Sequence, residues 1–299
     1  MTLLVLMAGE GLRFKSAGYI HIKPLMRIGG KFAVKHLLDS FPKEKNIVFV
    51  CSLEQFRKSN LADALQTMSG DCKLVAIKAH SQGPLVSARE AYTQMPDTEE
   101  VIVSPIGLSL YWNLPDFKQK MKCQNCDAAV LVVRGGHPAA EGSKAYGFVH
   151  ADGQKLIDLH DAGQPDSPVS IGAYWFKDGA LMKKYFDKAL AAGLKTGEEF
   201  WCGQALNLLV KDGKNVFVHE LQHAAQWGTP ESLEQFEAWS RVFSLICGKF
   251  ATRPVTEIPA TREALVMARP DQKALHPKIF TIWHGYFASA PWHPYFGSK

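Results

Sequence analysis

Short apolar runs alternate with longer amphipathic stretches through the first two thirds of the chain, and this alternation constrains the fold more than any other feature. Apolar runs of this kind are typical of strands buried on both faces of a sheet. They cover residues 3–7, 46–51, 73–77, 101–103 and 128–133. The stretches between them predict helices at 33–40, 55–68, 85–95 and 116–121. This order predicts an α/β fold with a mixed, mostly parallel sheet and helices on both faces.

The middle of the chain changes to a strand-rich pattern. Residues 146–150, 156–160 and 169–176 are strand-like and are separated by turn signals rich in Gly, Pro and Asp. We expect these strands to form a small antiparallel insertion over the cleft beyond the strand ends, where open sheets bind ligands. Helices are predicted at 178–192 and 198–210, then a strand at 215–220 and a helix with Thr229 as its cap and Pro230 in its first turn.

Beyond about residue 243 the pattern loosens, although the last twenty residues hold seven aromatic side chains. That many unpacked rings would make the chain poorly soluble. We therefore predict one domain over 1–243, with halves at about 1–135 and 136–243. A C-terminal extension over 244–299 is expected to pack on this domain or on a second subunit, which would make the protein a homo-oligomer.

The composition is that of a soluble globular protein, with 46% hydrophobic and 21% charged residues. It excludes a disordered chain, a coiled coil and a collagen-like repeat. No run of about 18 apolar residues predicts a membrane span, and the apolar start lacks the basic residues of a signal peptide. Six cysteines are too few for a disulfide scaffold, so we expect reduced thiols and a cytoplasmic location. Cys123 and Cys126 have metal-ligand spacing but no second pair to complete a site.

The net charge of +5 is too small to predict a nucleic-acid partner. The excess is local, because residues 1–35 contain six basic side chains and one acidic one, while the rest of the chain is neutral overall. The six are Arg13, Lys15, Lys23, Arg27, Lys31 and Lys35. This distribution predicts a small anionic ligand near the N-terminus.

The first predicted strand runs into a Gly-x-Gly turn at Gly9 and Gly11. Such a turn exposes backbone N–H groups where no side chain blocks a polyphosphate. The planar guanidinium of Arg13 could donate two parallel hydrogen bonds to phosphate oxygens, and the ammonium of Lys23 would add a positive charge on a flexible side chain. The segment is not a Walker loop, because no Gly-Lys-Ser/Thr follows, and it lacks the third glycine and the acid of a dinucleotide fingerprint.

The motifs Ala8-Gly-Glu-Gly-Leu-Arg-Phe14, Ile22-Lys-Pro-Leu25 and Gly30-Lys-Phe32 resemble those of the nucleotidyltransferases that activate sugar phosphates and related phosphate esters. The resemblance covers about residues 1–240, with further matches at 80–84, 170–176 and 228–230. It implies a Rossmann-like fold, with the nucleotide bound in the first half of the domain and the acceptor in the second. The implied reaction is attack of an acceptor phosphate on the α-phosphorus of an NTP, with release of pyrophosphate.

The resemblance also implies roles for single residues. Arg13 would stabilise the leaving pyrophosphate, and Lys23 the charge that grows on the α-phosphate. Six residues match nucleotide-binding positions: Ala8, Gly9, Glu10, Gly11, Gln82 and Gly83. Three match acceptor-binding positions: Gly147, Asp161 and Gly172.

The family's metal-binding carboxylates are missing from the matching positions. Gly107 stands where the family has an Asp that binds Mg²⁺, and Gln226 or a neighbour replaces a second carboxylate. A protein normally holds Mg²⁺ by one or two carboxylates together with substrate phosphates. Another acid would have to take this role, and the candidates are Asp161, Glu10 and Glu220. Otherwise the chain binds its nucleotide without catalysis.

Two functions follow from these observations. The first is a nucleotidyltransferase of nucleotide-sugar or capsular polysaccharide biosynthesis, which acts on an NTP and a phosphorylated small molecule. The alternative is a catalytically inactive relative that binds nucleotide or serves as a partner or regulatory subunit. A glycosyltransferase is disfavoured because the chain has no Asp-x-Asp motif. His219 and His223 have zinc-protease spacing, but their surroundings predict strands rather than the required helix.

Overall fold

The structure is a computed structural model that describes residues 1–134, 147–161, 163, 167–221 and 223–246, the last eight of them as backbone only. Its strands are β1 (Thr2–Leu6), β2 (Arg27–Ile28), β3 (Lys31–Phe32), β4 (Asn46–Ser52), β5 (Cys72–Ile77), β6 (Val101–Pro105), β7 (Leu108–Tyr111), β8 (Ala128–Val133), β9 (Phe148–Asp152), β10 (Lys155–His160), β11 (Val169–Phe176), β12 (Val216–Glu220) and β13 (His223–Gln226).

The helices are α1 (Leu12–Ser16), α2 (Ala33–Asp39), α3 (Leu53–Lys58), α4 (Leu61–Ser69), α5 (Pro84–Arg89), α6 (Leu114–Cys123), α7 (Gly179–Ala191), α8 (Gln204–Lys211) and α9 (Pro230–Ile246). Two short 3-10 turns lie at Lys23–Leu25 and Tyr92–Gln94.

Nine strands form one sheet in the order β5-β4-β1-β6-β11-β8-β12-β10-β9. The first four are parallel, and Leu4 of β1 lies between Val48 of β4 and Val103 of β6. β8 and β12 are also parallel, whereas β11, β10 and β9 pair antiparallel with their neighbours. The predicted mixed α/β fold is therefore confirmed, and parallel pairing dominates only in the N-terminal half of the sheet.

Helices cover both faces of the sheet. This is required because successive side chains of β1 point to opposite faces and are apolar on both. Leu3 and Val5 point into a core that includes Phe117 of α6. Leu4 and Leu6 point into a second core that includes Phe186 of α7. Because both faces of the strand are buried, its apolar run is continuous rather than alternating.

The prediction of a small antiparallel insertion over the cleft is wrong. Residues 169–176 form β11, whose backbone groups pair with β6 and β8 in the middle of the main sheet. β9 and β10 extend the same sheet at its edge rather than forming a separate layer. The hydrophobic pattern identified the strands, but it does not specify which neighbours complete their hydrogen bonds.

Three predicted helices are shorter or divided, and of these the stretch 198–210 is helical only over α8, from Gln204. The stretch 55–68 forms two helices, α3 and α4, separated at Ser59 and Asn60. The stretch 85–95 forms α5 followed by a 3-10 turn.

The last described helix, α9, runs across the predicted domain boundary at 243. The aromatic extension from residue 247 lies outside the described residues, so the division into two parts and the oligomer through this segment stay predictions. No helix in the described ranges is long and apolar enough to cross a membrane.

Candidate active site

The Gly-x-Gly turn follows β1 at the carboxyl edge of the parallel strands. The Met7 N–H continues the sheet by donating to the Val50 carbonyl at 2.9 Å, and the chain then leaves it through Ala8 and Gly9. Gly11 caps α1 with a φ of 64°, in the left-handed region that side chains disfavour. The turn therefore occupies the position where open α/β sheets bind ligands.

Gln55 of α3 holds this turn in place. The Ser52 hydroxyl accepts from the Gln55 N–H at 3.1 Å, and the Ser52 N–H donates to Gln55 Oε1 at 3.0 Å, which is a capping box. The remaining amide nitrogen of Gln55 donates to the Gly9 carbonyl at 3.1 Å. One buried side chain thus fixes both the start of α3 and the turn.

Arg13 and Lys23 form a pair of cations beside the turn. Arg13 is exposed on α1, and Lys23 starts the next 3-10 turn with its Nζ 5.5 Å from the centre of the Phe14 ring. Burial, and then the charge of Arg13, lower the pKa of Lys23 from 10.5 to about 8. Within the described residues neither cation forms an ion pair with a carboxylate. Such a pair is suited to an anionic ligand.

Gly107 leaves room for the Lys23 ammonium just beyond β6. A Cβ built on Gly107 would lie 2.9 Å from Lys23 Nζ and 2.9 Å from the Trp227 carbonyl oxygen. The Trp227 N–H donates to the Gly107 carbonyl at 2.8 Å, and Gln226 pairs with Leu108 in the small β7–β13 sheet. The two positions matched to metal carboxylates, Gly107 and Gln226, are therefore neighbours across paired strands.

These residues do not fit a divalent cation. Gly107 has no side chain, Gln226 offers a neutral amide, and an ammonium fills the space beside Gly107. In the part of the chain that the structure describes, three or more His, Cys, Asp or Glu side chains do not come together anywhere. Of the alternative acids, Glu10 and Asp161 are exposed, and Glu220 is ion-paired with Arg134 at 2.9 Å.

A cleft of about 240 Å³ opens beyond the ends of β1 and β6. It is lined by Leu6, Ala8, Gly9, His80, Gly83, Pro84, Ser87, Pro105, Gly172, Tyr174, Glu199, Trp201 and Cys202. It brings together four residues predicted for nucleotide or acceptor binding: Ala8, Gly9, Gly83 and Gly172. The other predicted site residues are not among the lining residues, namely Glu10, Gly11, Arg13, Lys23, Gln82, Gly147 and Asp161.

Gly83 joins the two walls of the cleft. Its φ is 103°, and a Cβ there would lie 2.7 Å from both the backbone nitrogen and the carbonyl oxygen of Phe200. The Phe200 N–H donates to the Gln82 carbonyl at 2.8 Å, and the Leu85 N–H donates to the Phe200 carbonyl at 3.0 Å. This close approach requires glycine for structural reasons alone. The predicted contacts of Gln82 and Gly83 with the nucleotide base stay predictions.

Gly172 lies in β11 where the strand departs from regular pairing with β8, between Ser170 and Tyr174. The Gly172 N–H donates to Ser170 Oγ at 3.1 Å, and the Ser170 N–H donates to the Gly147 carbonyl at 3.0 Å. This chain of hydrogen bonds connects Gly147 to the cleft wall without exposing it there. Asp161 follows the end of β10.

His80 and Ser87 form a hydrogen-bonded pair that sequence reasoning did not predict. His80 Nε2 lies 3.1 Å from Ser87 Oγ, and His80 Nδ1 accepts from the Gln82 N–H at 3.2 Å. An accepting Nδ1 places the ring proton on Nε2, which donates to Ser87. His80 in this tautomer does not take a proton from Ser87, so the pair is not a serine nucleophile with its base. The Ser87 hydroxyl hydrogen is left to donate to a ligand.

Two further histidines lie outside the cleft lining. His219 lies in β12, where its ring contacts those of Trp112 and Phe117. Burial lowers its pKa from 6.5 to about 4. His223 lies in β13. The two lie on separate strands, which confirms the prediction that they do not share the helix that a zinc-protease site requires.

No family model and no curated protein matches the chain. Solved structures do share its fold. The nucleoside-diphosphate-sugar pyrophosphorylase from Vibrio cholerae RC9 superimposes with a TM-score of 0.63 at 18% identity, over 77% of this chain and 97% of that one. The inositol-1-phosphate CTP transferase from T. maritima gives 0.60 at 18% identity, over 82% and 94%.

HddC from Yersinia pseudotuberculosis, solved in complex with GMP-PN, gives a TM-score of 0.56 at 15% identity, over 78% of this chain and 96% of that one. At these identities the likeness shows the fold. The family resemblance inferred from the N-terminal motifs is thus confirmed at the level of fold, because these neighbours are nucleotide-sugar pyrophosphorylase-like and NTP-transferase-like enzymes.

Proposed function

We propose that this protein transfers an NMP group from an NTP to a sugar phosphate or a similar phosphate ester. One observation carries the proposal: the Gly9–Gly11 turn follows β1 with Arg13 and Lys23 beside it, at the edge of a cleft between β1 and β11. The cations suit a triphosphate, and the cleft leaves space for a second, small substrate.

In the proposed reaction an oxygen of the acceptor phosphate attacks the α-phosphorus of the NTP. A new P–O bond forms, the bond from the α-phosphorus to its bridging oxygen breaks, and pyrophosphate leaves with that electron pair. Lys23 would balance charge on the α-phosphate, and Arg13 charge on the leaving pyrophosphate. The backbone of residues 8–11, with Gln82 and Gly83, would hold the nucleotide, and Gly147, Asp161 and Gly172 would form the acceptor side.

The product would be a nucleoside-diphosphate sugar or a related activated ester. Such a product would serve nucleotide-sugar or capsular polysaccharide biosynthesis, which is the pathway that we propose.

Pyrophosphate release from a panel of NTPs and phosphorylated acceptors tests this function. We expect at least one pair to react, and Arg13→Met to lower kcat on the order of 100-fold, as loss of one charge-stabilising group does. Lys122→Met is the matched control, because Lys122 is exposed on α6 and the change removes the same charge. The proposal fails if no pair releases pyrophosphate, with or without Mg²⁺.

The alternative is a catalytically inactive protein that binds nucleotide or regulates a partner. The observation that favours it is the lysine beside Gly107, together with the absence of a carboxylate at positions 107 and 226. It predicts thermal stabilisation by nucleotide without turnover for any acceptor.

A further inference from the structure

We infer that the Lys23 ammonium takes the place of a divalent ion at the phosphate site, so that this chain binds the polyphosphate of its nucleotide without Mg²⁺. The inference rests on the proposed function only in taking a nucleotide as the ligand. It holds whether or not transfer follows binding.

The first argument is the space around Gly107. Lys23 Nζ lies 2.9 Å and Lys23 Cε 3.0 Å from the point where a Cβ on residue 107 would be. Any side chain at this position, a carboxylate included, would have to displace the end of the lysine and would also press on the Trp227 carbonyl oxygen, which lies 2.9 Å from the same point. The glycine and the inserted lysine are therefore one arrangement, in which an ammonium fills the volume beside the end of β6.

The second argument is that the lysine is held in position. Its neighbours Pro24 and Leu25 are buried, and the Met26 N–H closes the 3-10 turn on the Lys23 carbonyl at 3.3 Å. The Phe14 ring packs beside the end of its side chain. Because the backbone is fixed and the side chain is packed, the ammonium is placed before any ligand arrives, which lowers the entropic cost of binding.

The third argument is charge. Arg13 already acts on Lys23 as a like charge, and the described residues supply neither cation with a carboxylate partner. A divalent ion beside two cations would be repelled, whereas phosphate oxygens would neutralise both. The local excess of basic residues in 1–35 is also positive, so it likewise repels a divalent cation and attracts an anion.

The test is calorimetric titration of the full chain with a panel of NTPs and with inorganic tripolyphosphate, in EDTA and in MgCl2. We expect a dissociation constant in EDTA that equals or is lower than the one in MgCl2. Lys23→Met should weaken binding in EDTA on the order of 100-fold, the usual effect of removing one partner of a desolvated charge pair. Lys122→Met, the exposed control, should leave it unchanged.

Gly107→Asp gives the converse test. Its carboxylate would displace Lys23 and pair with it, so that the ammonium would no longer be available to the phosphate. The affinity for nucleotide in EDTA should therefore fall about 10-fold or more, which corresponds to the loss of one hydrogen bond to a charged group. Addition of Mg²⁺ should restore part of the lost nucleotide affinity. Gly107→Asn, of nearly the same size and without the charge, should not gain a response to Mg²⁺.

The wild-type comparison needs no variant and decides the inference by itself. If EDTA abolishes nucleotide binding and Mg²⁺ restores it, the inference is wrong, while the proposed transfer reaction survives. If nucleotide binds equally in EDTA but no acceptor releases pyrophosphate, the inference stands and the proposed transfer reaction fails. Circular dichroism and thermal unfolding of each variant separate a lost contact from a lost fold.

Discussion

The two walls of the cleft are built by different interactions. The wall after β1 is lined by Ala8 and Gly9, in a turn that a side-chain hydrogen bond from Gln55 holds, and Arg13 and Lys23 follow this turn outside the cleft lining. The opposite wall comes from β11 and residues 199–202, and is held to the segment 82–85 by backbone hydrogen bonds and close packing. Among the residues with which it lines the cleft, Glu199 is the one charged side chain.

This difference separates two tasks. The two cations beside the first wall can attract and neutralise an anion, and binding there should depend on pH and ionic strength. The second wall offers shape, with the buried Tyr174 and Cys202 and the partly buried Trp201, and should depend on side-chain volume. Substitutions at the first wall should therefore have effects that change with pH and ionic strength, whereas the effects of substitutions at the second wall should follow side-chain volume.

The largest effect is expected where the walls meet, at Gly83. Gly83→Ala would force a side chain into a positive φ and against the Phe200 backbone at once, so we expect a loss of about 3–4 kcal/mol in the free energy of unfolding. Gly193→Ala is the matched control, because Gly193 has a φ of 63° but open space around its Cβ position. It should cost about 1 kcal/mol in urea denaturation. Equal losses would show that the contact with Phe200 does not matter.

A smaller effect is expected from the titration of Lys23 in the ligand-free protein. Its pKa is about 8 folded and 10.5 in a model peptide, so the unfolded state holds more protons between these values, and stability rises with pH across them. Lys23→Met should therefore be more stable than wild type at pH 7, by on the order of 2 kcal/mol. This advantage should shrink as the pH approaches 10.5.

Urea unfolding of both proteins at several pH values checks this expectation. Groups with raised pKa values, such as Cys51 and Tyr185, titrate in both proteins and cancel in the difference. A difference that is independent of pH would contradict the burial of the ammonium.

The smallest effect compares two helix caps. Gln55→Ala and Asn113→Ala each remove a cap interaction, at the starts of α3 and α6, and each should cost about 1 kcal/mol of stability. Because Gln55 also holds the Gly9 carbonyl, its variant alone should weaken nucleotide binding, by about 3- to 10-fold. Identical nucleotide affinities in the two variants would mean that the turn does not need Gln55.

Much of the fold could be predicted because strands buried on both faces have continuous apolar runs. The small β7–β13 sheet could not, since His223, Ala224, Ala225 and Gln226 include no β-branched or large aromatic side chain. It matters because it brings Gln226 beside Gly107. The central place of β11 was missed for another reason: strand order depends on long-range pairing that a local pattern does not record.

The candidate site shows the same division. The turn, Arg13 and Lys23 are near in sequence and share a short motif, so their association could be predicted. The contact between Lys23 and Gly107 joins residues 84 positions apart, and the Gln55 bond to Gly9 joins residues 46 positions apart. Ser87 carries no sequence signal of its own, and only the fold places it against His80.

The position of β1 between β4 and β6 also determines when the phosphate turn can form during synthesis. The turn is made well before β6, so its strand gains its second neighbour only once Val101–Pro105 has emerged. At 5–20 residues per second this takes about 5–20 s of translation. Until then one edge of β1 is exposed and open to pairing with other chains, so the segment that would bind the nucleotide is exposed to misassembly in the nascent protein.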